Sequence, residues 1–207
     1  MAVDYSLYLI TDRELAGSKN FFIAVRRALA GGVSLLQVRE KSVSSREFYN
    51  IGIELKKLAA EFAVPMIIND RADIAVAVDA DGVHVGQDDL PLETIRRIIG
   101  QDKILGYSVS NIEEALYGEK MGADYLGAGP VYPTGSKQDA GAAIGVEGLK
   151  AIKGSVKIPV VGIGGIGPNR LSQVKDTGID GISVISAILS QDDTYRAAKE
   201  LSGLWKS

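Results

Sequence analysis

The sequence contains no cysteine, which excludes a disulfide framework and a thiolate metal site and points to a cytoplasmic protein. It has one histidine, His84, and no Cys–His or Ser-His-Asp set stands out. No apolar run approaches the ~18 residues needed to cross a bilayer, so a membrane is not an expected partner. The chain passes directly into a strand-like "YSLYLI" at residues 5–10 with no basic region or cleavage site ahead of it, and no targeting peptide is visible. There is no excess of positive charge. The formal net charge of −3 argues against a general nucleic-acid binder, so an anionic ligand would need a local cluster of basic groups and amides. No Pro/Ser-rich linker or shift in composition divides the 207 residues, and residues 1–207 are expected to form one domain. Glycine, by contrast, is plentiful at 24 residues, which implies tight turns and close backbone approaches.

Short β-branched runs alternate with longer amphipathic stretches. Strand candidates are 5–10, 33–38, 65–69, 81–85, 103–107, 123–127, 158–162 and 180–185. Between them lie helix candidates with a period near 3.6 at 18–31, 45–62, 71–78, 91–99, 111–121, 146–153, 168–177 and 193–204. Ser44, Pro91 and Pro168 are start signals, and Gly100, Gly122 and Gly178 are stop signals. Strict alternation implies parallel strands. Eight such units close into an α/β fold of the (β/α)8 TIM-barrel type, whereas an open doubly wound sheet more often has about five or six strands.

In such a barrel the active site lies at the C-terminal ends of the strands. The stretch "SLLQVREKS", residues 34–42, begins as a buried strand and turns polar: Gln37, Arg39 and Lys41 share one face, opposite Leu36 and Val38. The third strand ends in Asn69, Asp70 and Arg71, the fourth leads through His84 to Gln87, Asp88 and Asp89, and the fifth ends near Tyr107 and Ser108. The sixth opens into "AGPVYPTGSKQDAGAAIG", which has no helical or strand period and whose length suits a functional lid. Thr134, Gly135, Ser136 and Lys137 within it resemble a phosphate-gripping turn. The seventh strand runs into "GIGGIGPN", and the eighth into Ile185 and Ser186.

Free amides at a glycine-rich turn before a helix suit a phosphate, so the "GIGGIGPN" turn with Ser186 is read as a monophosphate site. Arg39, Lys41 and Lys137 suit a second, more highly charged phosphate group. Asp70 and Asp89 with an amide oxygen suit a hard cation such as Mg²⁺, which would relieve the repulsion between carboxylates and phosphates. Plainer readings exist for each feature: the charges could form a salt-bridge ring, and the glycines could serve tight turns alone. His84 fits a packing or orienting role at least as well as that of a base. Tyr132 could stack on a ligand or brace the lid. Trp205 reads as a packing or interface residue. Asp88 is expected to face solvent. Glu40, of opposite parity to Arg39 and Lys41, reads as a structural ion-pair partner.

Together "LLQVREK", "IINDRADIAVAVDADGVHVGQDD", "GYSVSN", "GADYLGAGPVYPTGSK", "VGIGGI" and "GISVISAI" resemble the thiamine-phosphate synthase family over nearly the whole chain. The resemblance implies a (β/α)8 barrel that joins hydroxymethylpyrimidine diphosphate to thiazole phosphate, or to its carboxylated form with loss of CO2. The products would be thiamine phosphate and diphosphate. It implies that Gln37, Val38, Arg39, Glu40, Lys41, Asn69, Ser108 and Lys137 contact the pyrimidine diphosphate. Arg39, Lys41, Ser108 and Lys137 would carry the catalysis. Asp70 and Asp89 would hold Mg²⁺, and Thr134, Gly135, Ser136, Gly165, Ile185 and Ser186 would hold the thiazole phosphate. One departure is visible: the family loop often reads Pro-Thr-x-Thr-Lys, and here it is Pro-Thr-Gly-Ser-Lys, which keeps the hydroxyl at Ser136. Thiazole tautomerases are similar barrels with a histidine on this loop, where this chain has Pro130. A catalytically silent paralogue is a further alternative, against which the intact Arg39, Lys41, Asp70, Asp89 and Lys137 count. The expected partners are the two small-molecule substrates. A homo-oligomer is left open.

Overall fold

The computed structural model describes residues 3–135 and 141–207. Eight parallel strands pair in chain order and the eighth returns to the first, closing the barrel. They are β1 (Leu7–Ile10), β2 (Leu35–Val38), β3 (Met66–Asn69), β4 (Gly82–Val85), β5 (Ile104–Val109), β6 (Tyr125–Ala128), β7 (Val160–Ile163) and β8 (Gly181–Val184). All eight overlap the stretches expected from the sequence, with β5, β6 and β7 running one or two residues further.

Because successive side chains in a strand alternate, the staves face two ways, and β1, β2, β3, β6 and β7 also feed an apolar core inside the barrel. Leu36, Val38, Ile68, Val83 and Leu126 face outward into the layer shared with the helices. Tyr8, Ile10, Leu35, Ile67, Tyr125 and Val161 fill the barrel itself. Both faces are covered, which is why the staves read as near-continuous apolar runs.

The outer ring comprises α1 (Arg13–Ala16), α2 (Phe21–Ala30), α3 (Ser45–Ala60), α4 (Ala72–Ala77), α5 (Leu92–Ile99), α6 (Ile112–Lys120), α7 (Gly145–Ser155), α8 (Leu171–Lys175), α9 (Ser186–Leu189) and α10 (Thr194–Lys206). The predicted Ser44 cap is present, its hydroxyl accepting from the Glu47 amide at 3.2 Å. Helix α5 closes at Gly100, whose φ of +83° a side-chain-bearing residue rarely adopts. Two elements were not expected: α1 and α9 are four residues each, too short to carry a period. The helix expected over 168–177 is shorter than its pattern, because Pro168–Arg170 form a 3-10 turn before α8. No helix among the described residues is long and apolar enough to cross a membrane.

Candidate active site

The C-terminal mouth of the barrel opens into a cavity of about 970 Å³. Its β2 to β4 side is built from charged side chains. Gln37 is the last inward residue of β2 and is 1% exposed. Beyond it the chain turns outward under control of Thr11: the Thr11 amide donates to the Gln37 carbonyl at 2.8 Å, and the Arg39 amide donates to Thr11 Oγ1 at 3.0 Å. Arg39 and Lys41 then enter the cavity wall. The Arg39 guanidinium lies 3.5 Å from Asp12 Oδ2, and Lys41 Nζ lies 2.6 Å from Asp70 Oδ2.

Asp70 occupies a left-handed conformation, φ +62°, held by its amide, which donates to the His84 carbonyl at 2.8 Å. Asn69 Nδ2 donates to its second oxygen at 2.7 Å. Across from it, Asp89 Oδ2 accepts from the Gly86 amide at 2.7 Å. Burial, and then the neighbouring Asp70 carboxylate, push the Asp89 carboxyl above the ordinary carboxylate range, against the pull of the Gly86 amide and Lys41. Two neighbouring carboxylates in a half-buried wall form a donor set for a hard cation. Mg²⁺ suits such a set, since it takes one or two protein carboxylates and completes its shell with phosphate and water. Among the described residues there is no group of three or more His, Cys, Asp or Glu that could hold a metal by itself. Asp88 is exposed, as expected.

The β6 to β8 side is built from backbone. Gly164 and Gly165 turn with φ of +97° and +64°, and a Cβ on Gly165 would stand 2.8 Å from Tyr132 Cβ and 2.9 Å from the Pro133 carbonyl oxygen. The glycines thus let the β7 turn press against the β6 loop. The Tyr132 and Val131 amides tie that loop to the carbonyls of Gly164 and Ile163 at 3.1 and 2.8 Å. Arg170 clamps the junction, donating to the Gly165 carbonyl at 2.9 Å while its guanidinium sits 4.3 Å above the Tyr132 ring. Tyr132 therefore braces the loop. Thr134, Gly165, Ile185 and Ser186 line the same cavity, and Ser186 begins α9.

Of the other residues the resemblance singled out, Asn69 and Ser108 line the cavity. The Val38 side chain is buried in the outer core. Glu40 turns away to Arg13, 3.0 Å from its Nε, so both residues could meet a ligand only through backbone. Gly135 is exposed and is not part of the cavity wall. Ser136 and Lys137 lie outside the described residues.

Three arrangements were not expected from the sequence, which named Gln87 only as a strand-end residue and gave His84 a packing or orienting role without partners. Ser183 Oγ is buried at the cavity floor without a hydrogen-bond partner among the described residues. Gln87 joins the strand ends, donating to the Ser108 carbonyl at 2.7 Å and accepting from Tyr107 Oη at 2.8 Å. His84, buried inside the barrel, bridges Tyr125 and Ser108 at 2.8 Å on each side. A signal for the last was present: glycines inside strands, such as Gly106 and Gly127, mark close approach of another group.

Residues 7–188 match the family described as thiamine monophosphate synthase. A thiamine-phosphate synthase of Desulfitobacterium hafniense strain Y51 is 69% identical over 207 residues, covering all of both chains. The chain belongs to this family. One from Clostridium botulinum strain Hall is 53% identical over 201 residues, 97% of this chain and 98% of its own. The solved structure of a thiamine phosphate pyrophosphorylase from Pyrococcus furiosus superposes with a TM-score of 0.91 at 46% identity, over 99% of this chain and 96% of that one. The chain is thus a biosynthetic transferase that forms thiamine phosphate with release of diphosphate.

Proposed function

We propose that the two halves of the mouth hold the two substrates. Gln37, Arg39, Lys41, Asn69 and Ser108 take the pyrimidine diphosphate, and Thr134, Gly165, Ile185 and Ser186 take the thiazole phosphate. The observation that supports this most is the chemical asymmetry of the cavity. Arg39, Lys41, Asp70 and Asp89 crowd one wall, while glycine turns and the start of α9 form the other. Lys137 joins the first group, and Gly135 and Ser136 the second, on sequence alone.

The reaction breaks the C–O bond between the pyrimidine methylene and the diphosphate, and forms a C–N bond from that methylene to the thiazole nitrogen. Arg39 and Lys41 stabilise the departing anion in a site whose charges are already fixed by Asp12 and Asp70. The aminopyrimidine carries the positive charge left on its methylene, and the thiazole lone pair, positioned from the opposite wall, closes on it. Little proton transfer is asked of the protein, consistent with a chain whose only histidine is locked between two hydroxyls. Asp70 and Asp89 are the residues that would hold Mg²⁺, which when bound supplies charge neutralisation on the diphosphate. The same reading makes the chain one catalytic domain acting on small molecules in the cytoplasm.

The test is diphosphate release, followed with a coupling enzyme added in excess. Release should require both substrates, stop with EDTA and return with Mg²⁺. Turnover that ignores EDTA would remove the metal from the account.

A further inference from the structure

Inside the barrel, below the mouth, five side chains from five strands form an unbroken polar chain through an otherwise apolar core. Gln37 Nε2 on β2 donates to Tyr8 Oη on β1. Tyr8 Oη lies 2.8 Å from Tyr125 Oη on β6, Tyr125 Oη 2.8 Å from His84 Nδ1 on β4, and His84 Nε2 2.8 Å from Ser108 Oγ on β5. The barrel is carved to admit it. A Cβ on Gly106 would stand 2.3 Å from Tyr125 Cζ and 2.4 Å from His84 Nδ1, and one on Gly127 would lie 3.1 Å from His84 Cε1.

The chain has one consistent direction. Tyr8 accepts from Gln37, so its own proton goes to Tyr125. Tyr125 then donates to His84 Nδ1, which places the ring proton on Nε2, from where it goes to Ser108 Oγ. Both tyrosines are fully buried, and burial pushes both hydroxyls well above their ordinary pKa, so each keeps the proton it must donate. Both ends of the chain line the cavity, and each is left with one unspent function: the Gln37 side-chain oxygen Oε1 as an acceptor and the Ser108 hydroxyl as a donor.

We propose that His84 is a positioning residue, the hub of a directed Gln37–Tyr8–Tyr125–His84–Ser108 relay that presents one acceptor and one donor to the amino group and ring nitrogens of the pyrimidine. The inference rests on placing the pyrimidine against Gln37 and Ser108. It adds that these two contacts are coupled through the core: reversing the amide at one end would reverse the hydroxyl at the other. A buried polar network pays for its desolvation only when every member is satisfied, and here the last two functions are satisfied by the ligand.

Because the chain has a single histidine, its ring nitrogens are directly observable by ¹⁵N NMR of the whole enzyme. The proposal expects a pyridine-like Nδ1 and a protonated Nε2 in the wild-type enzyme. It expects that tautomer preference to collapse in Tyr125→Phe, with the KM for pyrimidine diphosphate raised about tenfold and the KM for thiazole phosphate unchanged. His84→Gln, which keeps a donor toward Ser108, should retain more activity than His84→Ala. A wild-type ring protonated on Nδ1 overturns the relay without any variant. If the tautomer behaves as expected but the pyrimidine KM does not move in Tyr125→Phe, the relay's order stands and the coupling to substrate fails; the placement of the pyrimidine is judged apart from it, by whether Gln37→Ala raises the same KM.

Discussion

The two walls of the mouth, each proposed to hold a phosphate, are built from different materials. On the β2 to β4 wall the work falls to side chains: Lys41 against Asp70, Arg39 against Asp12, and Asp89 anchored on the Gly86 amide. On the β6 to β8 wall it falls to the path of the backbone, with Gly164, Gly165 and the first turn of α9. The first arrangement can meet a highly charged group whose leaving must be stabilised. The second offers dipoles that hold without competing for the leaving group. A charge-built wall is fragile to single charge deletions, and a backbone-built wall is fragile to added atoms.

The strongest way to break the comparison is to delete a charge. Asp89→Ala, and separately Lys137→Ala, should lower turnover by about a hundredfold to a thousandfold while circular dichroism and thermal unfolding remain close to wild type. Near-normal rates in both would dissolve the charged wall as a site. Adding an atom beneath the two walls should instead damage the fold. Gly106→Ala places a methyl group into Tyr125 and His84, and denaturant unfolding should show a loss of about 1–3 kcal/mol.

The buried phenols give a third expectation. Tyr8 and Tyr125 are raised above their unfolded pKa of about 10 by burial. Their contribution is therefore fully present below pH 10 and is lost as pH rises beyond it, by about 1.4 kcal/mol per pH unit for each phenol. Unfolding midpoints measured from pH 8 to 11 should owe no change to these phenols up to about pH 10 and fall above it, and Tyr8→Phe should flatten that fall. The smallest effect is expected at Glu40. Glu40→Gln loses a bond to Arg13, which is itself held 3.0 Å from Glu47, so stability should change by about 1 kcal/mol or less. Both KM values should stay in place.

The contrast between the walls also explains which features are legible in the sequence. Gln37, Arg39 and Lys41 are legible in "SLLQVREKS" because strand parity is strict, and the structure places all three in the cavity wall with Val38 turned away. The eight βα units are legible because each helix long enough to show a period does so. The four-residue α9 is not, and with it the geometry around Ser186. Least legible is the relay, whose contacts join residues 117 and 41 positions apart. Nothing local to Tyr8 or Tyr125 announces a partner, since a tyrosine in an apolar strand packs well with or without one. Gly106 and Gly127 carry the only local trace of it, as missing side chains where a strand would normally have them.

The most direct measurement is a side-by-side determination of both KM values in Lys41→Ala and Gly165→Ala. If the two walls hold two substrates, the results cross. Lys41→Ala should raise the KM for pyrimidine diphosphate about tenfold or more and leave that for thiazole phosphate unchanged, and Gly165→Ala should do the reverse. Parallel changes in both constants, in both variants, would contradict it.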